Sequence, residues 1–433
     1  MEIKLTRQNL LGLLLTFWLI VAVSFFYLFY GCAKISSIVS CVIFVVSILL
    51  WGRLQKGYFS KLVLCFFLIL AVNIVSMVLN YDYPLSTFFR YIFPYFVLLC
   101  YYPISTYLEI SPQKYKTFLN AIEVIATMQA ILLLTNELYN VKTGNTFLHI
   151  TFLPSISRYA PRAFTVAEGV LRIAVLIPAA KIIQNDFRII GNFKEYFSFI
   201  LIVLSIIFVD QSRVYILSVL GSIVFMVFIR AKEKISLKRA ILLLIVLMLA
   251  VVIGSVFIRS ITITLGDSTD GSNYARAQAR TYYLNVLRQK FYWLTGLGIA
   301  VPDKSNIFYW FIKGPAGIFG YNDIGIVGVL AAFGIFGAIW YIWLSLKSIS
   351  LAFKSDGKYK LLSLGLVIEA LISIGSLSYL DADRVVCLPI MLGIISAGYK
   401  YSKMESTGNR DNKDINVHNN KDINVHNNDV VRC

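Results

Sequence analysis

The sequence predicts an all-α polytopic membrane protein with about 12 transmembrane helices and a large extracytoplasmic loop carrying short helices. Three observations lead there. Of the 433 residues 58% are hydrophobic and only 15% charged, with a mean hydropathy of +0.73, whereas a soluble domain carries roughly a quarter charged residues. The apolar runs are long and unbroken, which suits helices and not the short alternating strands of a barrel. The net charge is +17, and the basic residues sit between the apolar runs, where a membrane protein gathers Lys and Arg on its cytoplasmic side. That distribution argues against nucleic acid as a partner.

A span needs about 20 apolar residues. Spans are expected near 10–31, 35–51, 62–80, 90–106, 117–137, 166–184, 196–210, 213–230, 240–259, 323–346, 361–380 and 384–399, the fourth and seventh having the weakest signal. The N-terminus, with Lys4 and Arg7 before an apolar run, has a signal-peptide outline. The run continues to about Tyr30 without a small-residue cleavage site, so it reads as a retained first helix. The six cysteines show neither a disulfide pattern nor metal-ligand spacing, and buried Cys commonly acts as a small hydrophobe.

Charge tests the order of these spans. With the N-terminus in the cytoplasm, the inside loops hold Arg53, Lys56 and Lys61; Lys114 and Lys116; Lys181, Arg188 and Lys194; Arg230, Lys232, Lys234, Lys238 and Arg239; and Lys347, Lys354, Lys358 and Lys360. The short outside loops hold Lys34, Arg90, Arg213 and Arg384. The alternation runs the length of the chain and places both termini inside. One transmembrane domain, 1–403, is expected, with long outside segments near 138–165 and 260–322. The second is rich in Tyr, Phe and Trp, which argues for ordered structure. A polar cytoplasmic tail, 404–433, carries NKDINVHN at 412–419 and again at 420–427, and is expected to be disordered.

Candidate chemistry gathers at the outside ends of the spans. In SISRYAPRAFTVAEGVLRIA, Arg158 and Arg162 precede the sixth span, with Glu168 one turn into it and Arg172 four residues on, along one face. An arginine inside a span is costly and tends to face a bundle interior or a wet cavity. The plain alternative is a self-neutralising Glu168–Arg172 pair. Asp210 and Arg213 flank a short turn; the turn accounts for the aspartate better than for an outside arginine. In GSNYARAQARTYYLNVLRQKFYWLTGLG, Arg276 and Arg280 share a helical stripe with Leu284, Leu287, Phe291 and Leu294. Two arginines on one face suit a diphosphate, since guanidinium binds phosphate oxygens through two parallel hydrogen bonds. An interfacial helix touching lipid headgroups fits the spacing equally well.

Other residues carry weaker signals. Asp323 stands at a helix start, where N-capping is the default. Glu123 and Glu369 lie within spans, where carboxylates are functional candidates or buried hydrogen-bonded groups. His149 is the only histidine outside the tail. P-loop, dinucleotide and zinc-protease motifs are absent.

With these residues in view, the sequence resembles the Wzy-type polymerases of O-antigen and capsule, and their relative the O-antigen ligase. RYAPRAFTVAEGVLRIA is similar to the family's outside loop in which arginine and a Phe-x-x-x-Glu element lead into a helix, with Arg158 eleven residues before Gly169. DQSRVYIL is similar to its Ser-Arg step opening a helix. The large loop followed by YNDIGIVGVLAAFGIFG is similar to its closing Asp-x-Gly and Gly-rich span. The resemblance covers most of the chain by topology, on short motifs.

The resemblance implies a bacterial inner-membrane glycosyltransferase acting at the outer face on undecaprenyl-diphosphate-linked oligosaccharides, among membrane lipids and with a chain-length regulator and a flippase as partners. It implies no metal or other cofactor. Arginines then stabilise the leaving diphosphate, a role carried onto Arg162, Arg213, Arg276 and Arg280, with Arg158 and Arg172 in substrate binding. Glu168 and Asp323, then His149, are the candidates for the base. The ligase uses a histidine in its large outside loop; residues 260–322 contain none, which favours polymerase. A secondary transporter or lipid-linked oligosaccharide flippase fits the span count, with Glu123, Arg172 and Glu369 as intramembrane sites, but the two halves show no matching repeat. A structural subunit of an export complex is a third reading.

Overall fold

The computed structural model describes residues 6–22, 35–52, 54, 56–81, 91–148, 151–153, 162–164, 168–189, 191–210, 212–234, 271–289, 292–299, 304, 307–315, 317, 319–322, 324–382 and 384–428. In chain order these form α1 (Arg7–Ala22), α2 (Ile35–Trp51), α3 (Ser60–Tyr81), a 3₁₀ stretch (Phe93–Cys100) running into α4 (Tyr101–Leu108), and α5 (Pro112–Thr143). Two short strands follow, β1 (Thr151–Leu153) and β2 (Arg162–Phe164), paired antiparallel with Phe152 opposite Ala163. Then come α6 (Glu168–Gln184), α7 (Phe193–Ser205) ending in a π turn (Ile206–Asp210), α8 (Arg213–Lys234), α9 (Gly271–Leu287), α10 (Tyr292–Thr295), α11 (Ile307–Lys313), α12 (Ile326–Lys354), α13 (Gly357–Ser373) and α14 (Cys387–Asn428).

The chain is an α-helical membrane protein. Among the described residues four helices are long and apolar enough to cross a membrane: Ser60–Tyr81, Pro112–Thr143, Val214–Ala231 and Ile326–Lys354. Leu49 and Leu79 are more than three-quarters exposed, at 77% and 79%, a large cost in water and none in lipid. The other expected spans are not among these four. Local breaks shorten several expected spans: 90–106 divides into the 3₁₀ stretch and α4, 196–210 finishes in the π turn, and 361–380 stops at Ser373. The expected span 240–259 lies outside the described residues.

Local chemistry explains the clearest boundaries. Ser111 caps α5 by accepting from the Lys114 backbone N–H at 3.3 Å, with Pro112 in the first turn. The helix closes on Gly144, left-handed at φ 72, whose N–H reaches the Asn140 carbonyl at 2.7 Å. The backbone of α14 is helical through both copies of the repeat to Asn428. Residues 388–428 contain proline only at 389, so nothing of that kind halts a helix nucleated in the bundle, and propagation adds a hydrogen bond per residue.

α12 is two helical pieces. Gly334 inside it sits at φ 68 and ψ −165, a conformation reserved for glycine. The carbonyls freed by this break are taken up by the segment after α10. Leu297 N–H donates to Ala331 O at 2.7 Å and Gly298 N–H to Ala332 O at 3.1 Å. Asn73 of α3 adds bonds from its Nδ2 to Ala332 O and Thr295 O, at 2.8 and 2.9 Å. Below the break, Phe66, Tyr95, Phe333 and Trp340 pack ring to ring with centroids 4.8–5.7 Å apart.

Candidate functional site

At the start of α12 lies a cavity of about 610 Å³. α9 lines it with Arg276, α11 with Lys313, the segment before the 3₁₀ stretch with Tyr91, and the α13–α14 connection with Asp381; Tyr95 and Tyr321 add rings. α9 is held there by two tyrosine hydroxyls: Tyr282 donates to Phe311 O at 2.7 Å and Tyr283 to Ile312 O at 2.8 Å. Half-burial at the end of α11 disfavours the charged Lys313 ammonium and lowers its pKa from the ordinary lysine value. The cavity therefore combines two cationic side chains of different stiffness, aromatic faces and one carboxylate.

Asp381 is the inward end of a buried polar chain. Its Oδ2 pairs with Arg384 Nη1 at 2.5 Å and accepts from the Ser378 N–H at 3.2 Å. Arg384 Nε donates to the Tyr215 hydroxyl at 2.7 Å. The Tyr215 ring lies against Arg172, with the guanidinium carbon 4.3 Å from its centroid, and Tyr379 lies 4.6 Å away from the same carbon. Arg172 is wholly buried, as is Glu369, whose Oε1 is 3.1 Å from Arg172 Nε. That contact is an ion pair without hydrogen-bond alignment; none of the three guanidinium nitrogens has a hydrogen-bond partner among the described residues. The cation instead rests between two rings, a desolvated arrangement worth about 2 kcal/mol or more. Glu369 is better satisfied, accepting from Ser218 Oγ at 3.0 Å and from the Tyr379 hydroxyl. α6, α8, α13 and the α13–α14 connection thus meet on one charged pair.

The sequence-predicted residues fall into three groups. Arg276 is in the cavity and Arg172 in the network that ends at it. Arg280, one turn from Arg276, points elsewhere: its Nη2 donates to Gly375 O at 2.6 Å, fastening α9 to the chain after α13. Of the apolar stripe expected beside these arginines Leu287 is buried, but Leu284 is 40% exposed, and Ala279, Tyr283 and Val286 fill the inner face with it. Tyrosine, with more area and a hydroxyl that finds a carbonyl, outcompetes leucine for the inner face.

Arg162 lies on β2, Glu168 opens α6 and Arg213 opens α8, but their side chains lie outside the described residues, as do Arg158, Asp323 and His149 altogether. Among the described residues Arg172 pairs with Glu369; the Glu168–Arg172 alternative involves a side chain outside them. Glu123, the other intramembrane carboxylate, is buried against Lys181 at 2.5 Å.

Sequence reasoning missed Lys313, Asp381, Arg384, Tyr215 and Tyr379 as site members. Arg384 alone carried a signal, as a cation on the side where positive charge is scarce. Comparison with models of known protein families gives no match, and comparison with curated proteins gives none either.

Proposed function

We propose that the chain is a Wzy-type polymerase that joins undecaprenyl-diphosphate-linked oligosaccharide repeat units into surface polysaccharide at the outer face of a bacterial inner membrane. The observation that carries this reading is the cavity of about 610 Å³ where Arg276, Lys313 and Asp381 meet among tyrosines. A lipid-diphosphate sugar needs cations for its phosphates, aromatic faces for its rings and a base for the acceptor. Arg276 takes the diphosphate through its planar fork, and Lys313 supplies a second charge. The acceptor hydroxyl oxygen attacks the donor's anomeric carbon, the bond from that carbon to the phosphate oxygen breaks, and the lipid diphosphate leaves with the electron pair. Asp381, held in place by Arg384, takes the hydroxyl proton. Arg158, Arg162, Arg213, Glu168 and Asp323 belong to the same outer face in this reading. The full topology is 12 spans with both termini cytoplasmic, and the stretch 260–322 is extracytoplasmic.

A second reading, a secondary transporter or flippase of lipid-linked oligosaccharide, draws on the broken helix α12 and the buried Arg172–Glu369 pair, since transporters use interrupted helices and intramembrane charges. One experiment separates the two. The gene is deleted in its host, the strain is complemented with the unaltered gene or with Arg276→Lys, and surface and carrier-linked glycans are run on gels. Loss of long polymer, with single repeat units at the outer leaflet and no rescue by Arg276→Lys, is the expected result. Repeat units held at the inner leaflet would make the chain a flippase, and an unchanged profile would sink both.

A further inference from the structure

The chain has a second cavity, of about 650 Å³, that the reading above leaves unused. It lies at the start of α13, bordered by Lys358 and Leu362, whereas the first cavity borders the connection after that helix. The two therefore sit at opposite ends of α13. The second is at the lysine-rich side of the bundle, which the charge bias assigns to the cytoplasm.

Four ammonium groups surround it. Lys116 comes from the first turns of α5, Lys181 from the last turn of α6, Lys194 from the first turn of α7 and Lys358 from the first turn of α13. The carboxylates nearby are few. Glu195 also lines the cavity; Glu123 lies behind it, paired with Lys181, and Glu405 pairs with Lys358 at 2.7 Å. Lys116 and Lys194 are exposed to the cavity side of the surface and have no ion pair to a described carboxylate. Helix geometry adds to the positive field. α5, α7 and α13 all bring their N-terminal ends to the cavity, and each end carries about half a positive charge. α6 alone brings its C-terminal end, which Lys181 offsets. The inner wall is apolar, formed by Leu119, Ile177 and Leu362, all nearly fully buried.

We propose that this cavity is a binding site for a phosphate group, and that the phosphate is the headgroup of an anionic lipid of the inner leaflet. Lysines and helix N-termini suit a phosphate, and the apolar wall suits the start of an acyl chain, which a soluble phosphate lacks. The proposal stands apart from the polymerase reading and is read without any measure of polymer.

The test uses the full chain in phosphatidylcholine nanodiscs. Phosphatidylglycerol replacing part of the lipid raises the thermal unfolding midpoint by about 3 °C or more, because a ligand of the native state stabilises it. Lys116→Gln with Lys194→Gln at least halves this rise, and Lys403→Gln, an exposed lysine of α14 that does not line the cavity, leaves it intact. Native mass spectrometry of the unaltered chain retains phosphatidylglycerol over phosphatidylcholine, a readout that survives if the double variant fails to fold. A rise with inorganic phosphate alone, to which phosphatidylglycerol adds nothing, sustains phosphate recognition but assigns it to a soluble ligand. No rise on adding phosphatidylglycerol, a full rise in the double variant, or an equal loss in Lys403→Gln overturns the site.

Discussion

Arg172 shows how far one residue's meaning depends on its partner. Buried between Tyr215 and Tyr379, it stands in an environment where removing one charge of a pair leaves the other stranded. Arg172→Met is expected to cost about 3–5 kcal/mol of stability by exposing Glu369 to the interior unpaired, and adding Glu369→Gln recovers a large part of it. Denaturant or thermal unfolding of the two single variants and the double in detergent measures the coupling, and strict additivity would contradict the pairing.

Lys313 carries a different expectation. Its pKa is lowered by burial, so it loses its proton earlier than an ordinary lysine as pH rises. Any binding of phosphate that uses its charge then weakens on the alkaline side, below the usual lysine range. Lys313→Arg, which stays charged throughout, moves the alkaline limb of binding or activity to higher pH. An unmoved limb would remove Lys313 from the site.

Much at this scale was legible and some was not. Arg172 and Glu369 each stood out as charges within apolar runs, but their pairing spans about 200 residues and has no local spacing to reveal it. Tyr215 and Tyr379 were hidden among 26 tyrosines, since a stacking tyrosine and a lipid-facing one read alike.

Elements show the same division. Long apolar helices were read well because length and composition are local properties: α2 coincides with its expected span, and α3 and α5 contain theirs. Breaks were read poorly because they depend on what lies alongside. The Gly-rich character of α12 suggested close packing, but not that Gly334 would leave helical geometry, a change that needs Leu297, Gly298 and Asn73 to receive the freed carbonyls. A Cβ on Gly334 would lie 2.3 Å from Leu294 O, and one on Gly296, at φ 80, 2.4 Å from Ala332 O. Gly334→Ala is therefore expected to destabilise by at least about 2 kcal/mol and to shift the cavity wall made by Ala332 and Phe333. Asn73→Leu, which leaves the Ala332 carbonyl one donor short, costs about 1–3 kcal/mol. Unfolding midpoints of both variants check this; a neutral Gly334→Ala would mean the break relaxes into continuous helix.

For the whole molecule, the proposed topology turns the first cavity outward and the second cavity to the cytoplasm. Asn322, at the mouth of the first cavity, is exposed, and Ser406, near the second cavity's end of the bundle, is exposed too. In a chain whose native cysteines are replaced, Asn322→Cys is expected to react with a membrane-impermeant maleimide on intact cells, and Ser406→Cys only after permeabilisation. The reverse pattern would invert the topology and place the Arg276 cavity on the cytoplasmic side.

The Arg172–Glu369 pair also sets a timetable. α6 and α13 leave the ribosome about 200 residues apart, so at about 5–20 residues per second the arginine waits on the order of 10–40 s for its carboxylate. On the proposed topology α6 carries that arginine into the bilayer before Glu369 arrives, which costs about 2.5–3.5 kcal/mol on insertion scales. Biogenesis of this chain therefore calls for the first half to be sheltered at the insertion machinery until the second half arrives, and a chain truncated before α13 should be a substrate for membrane quality control.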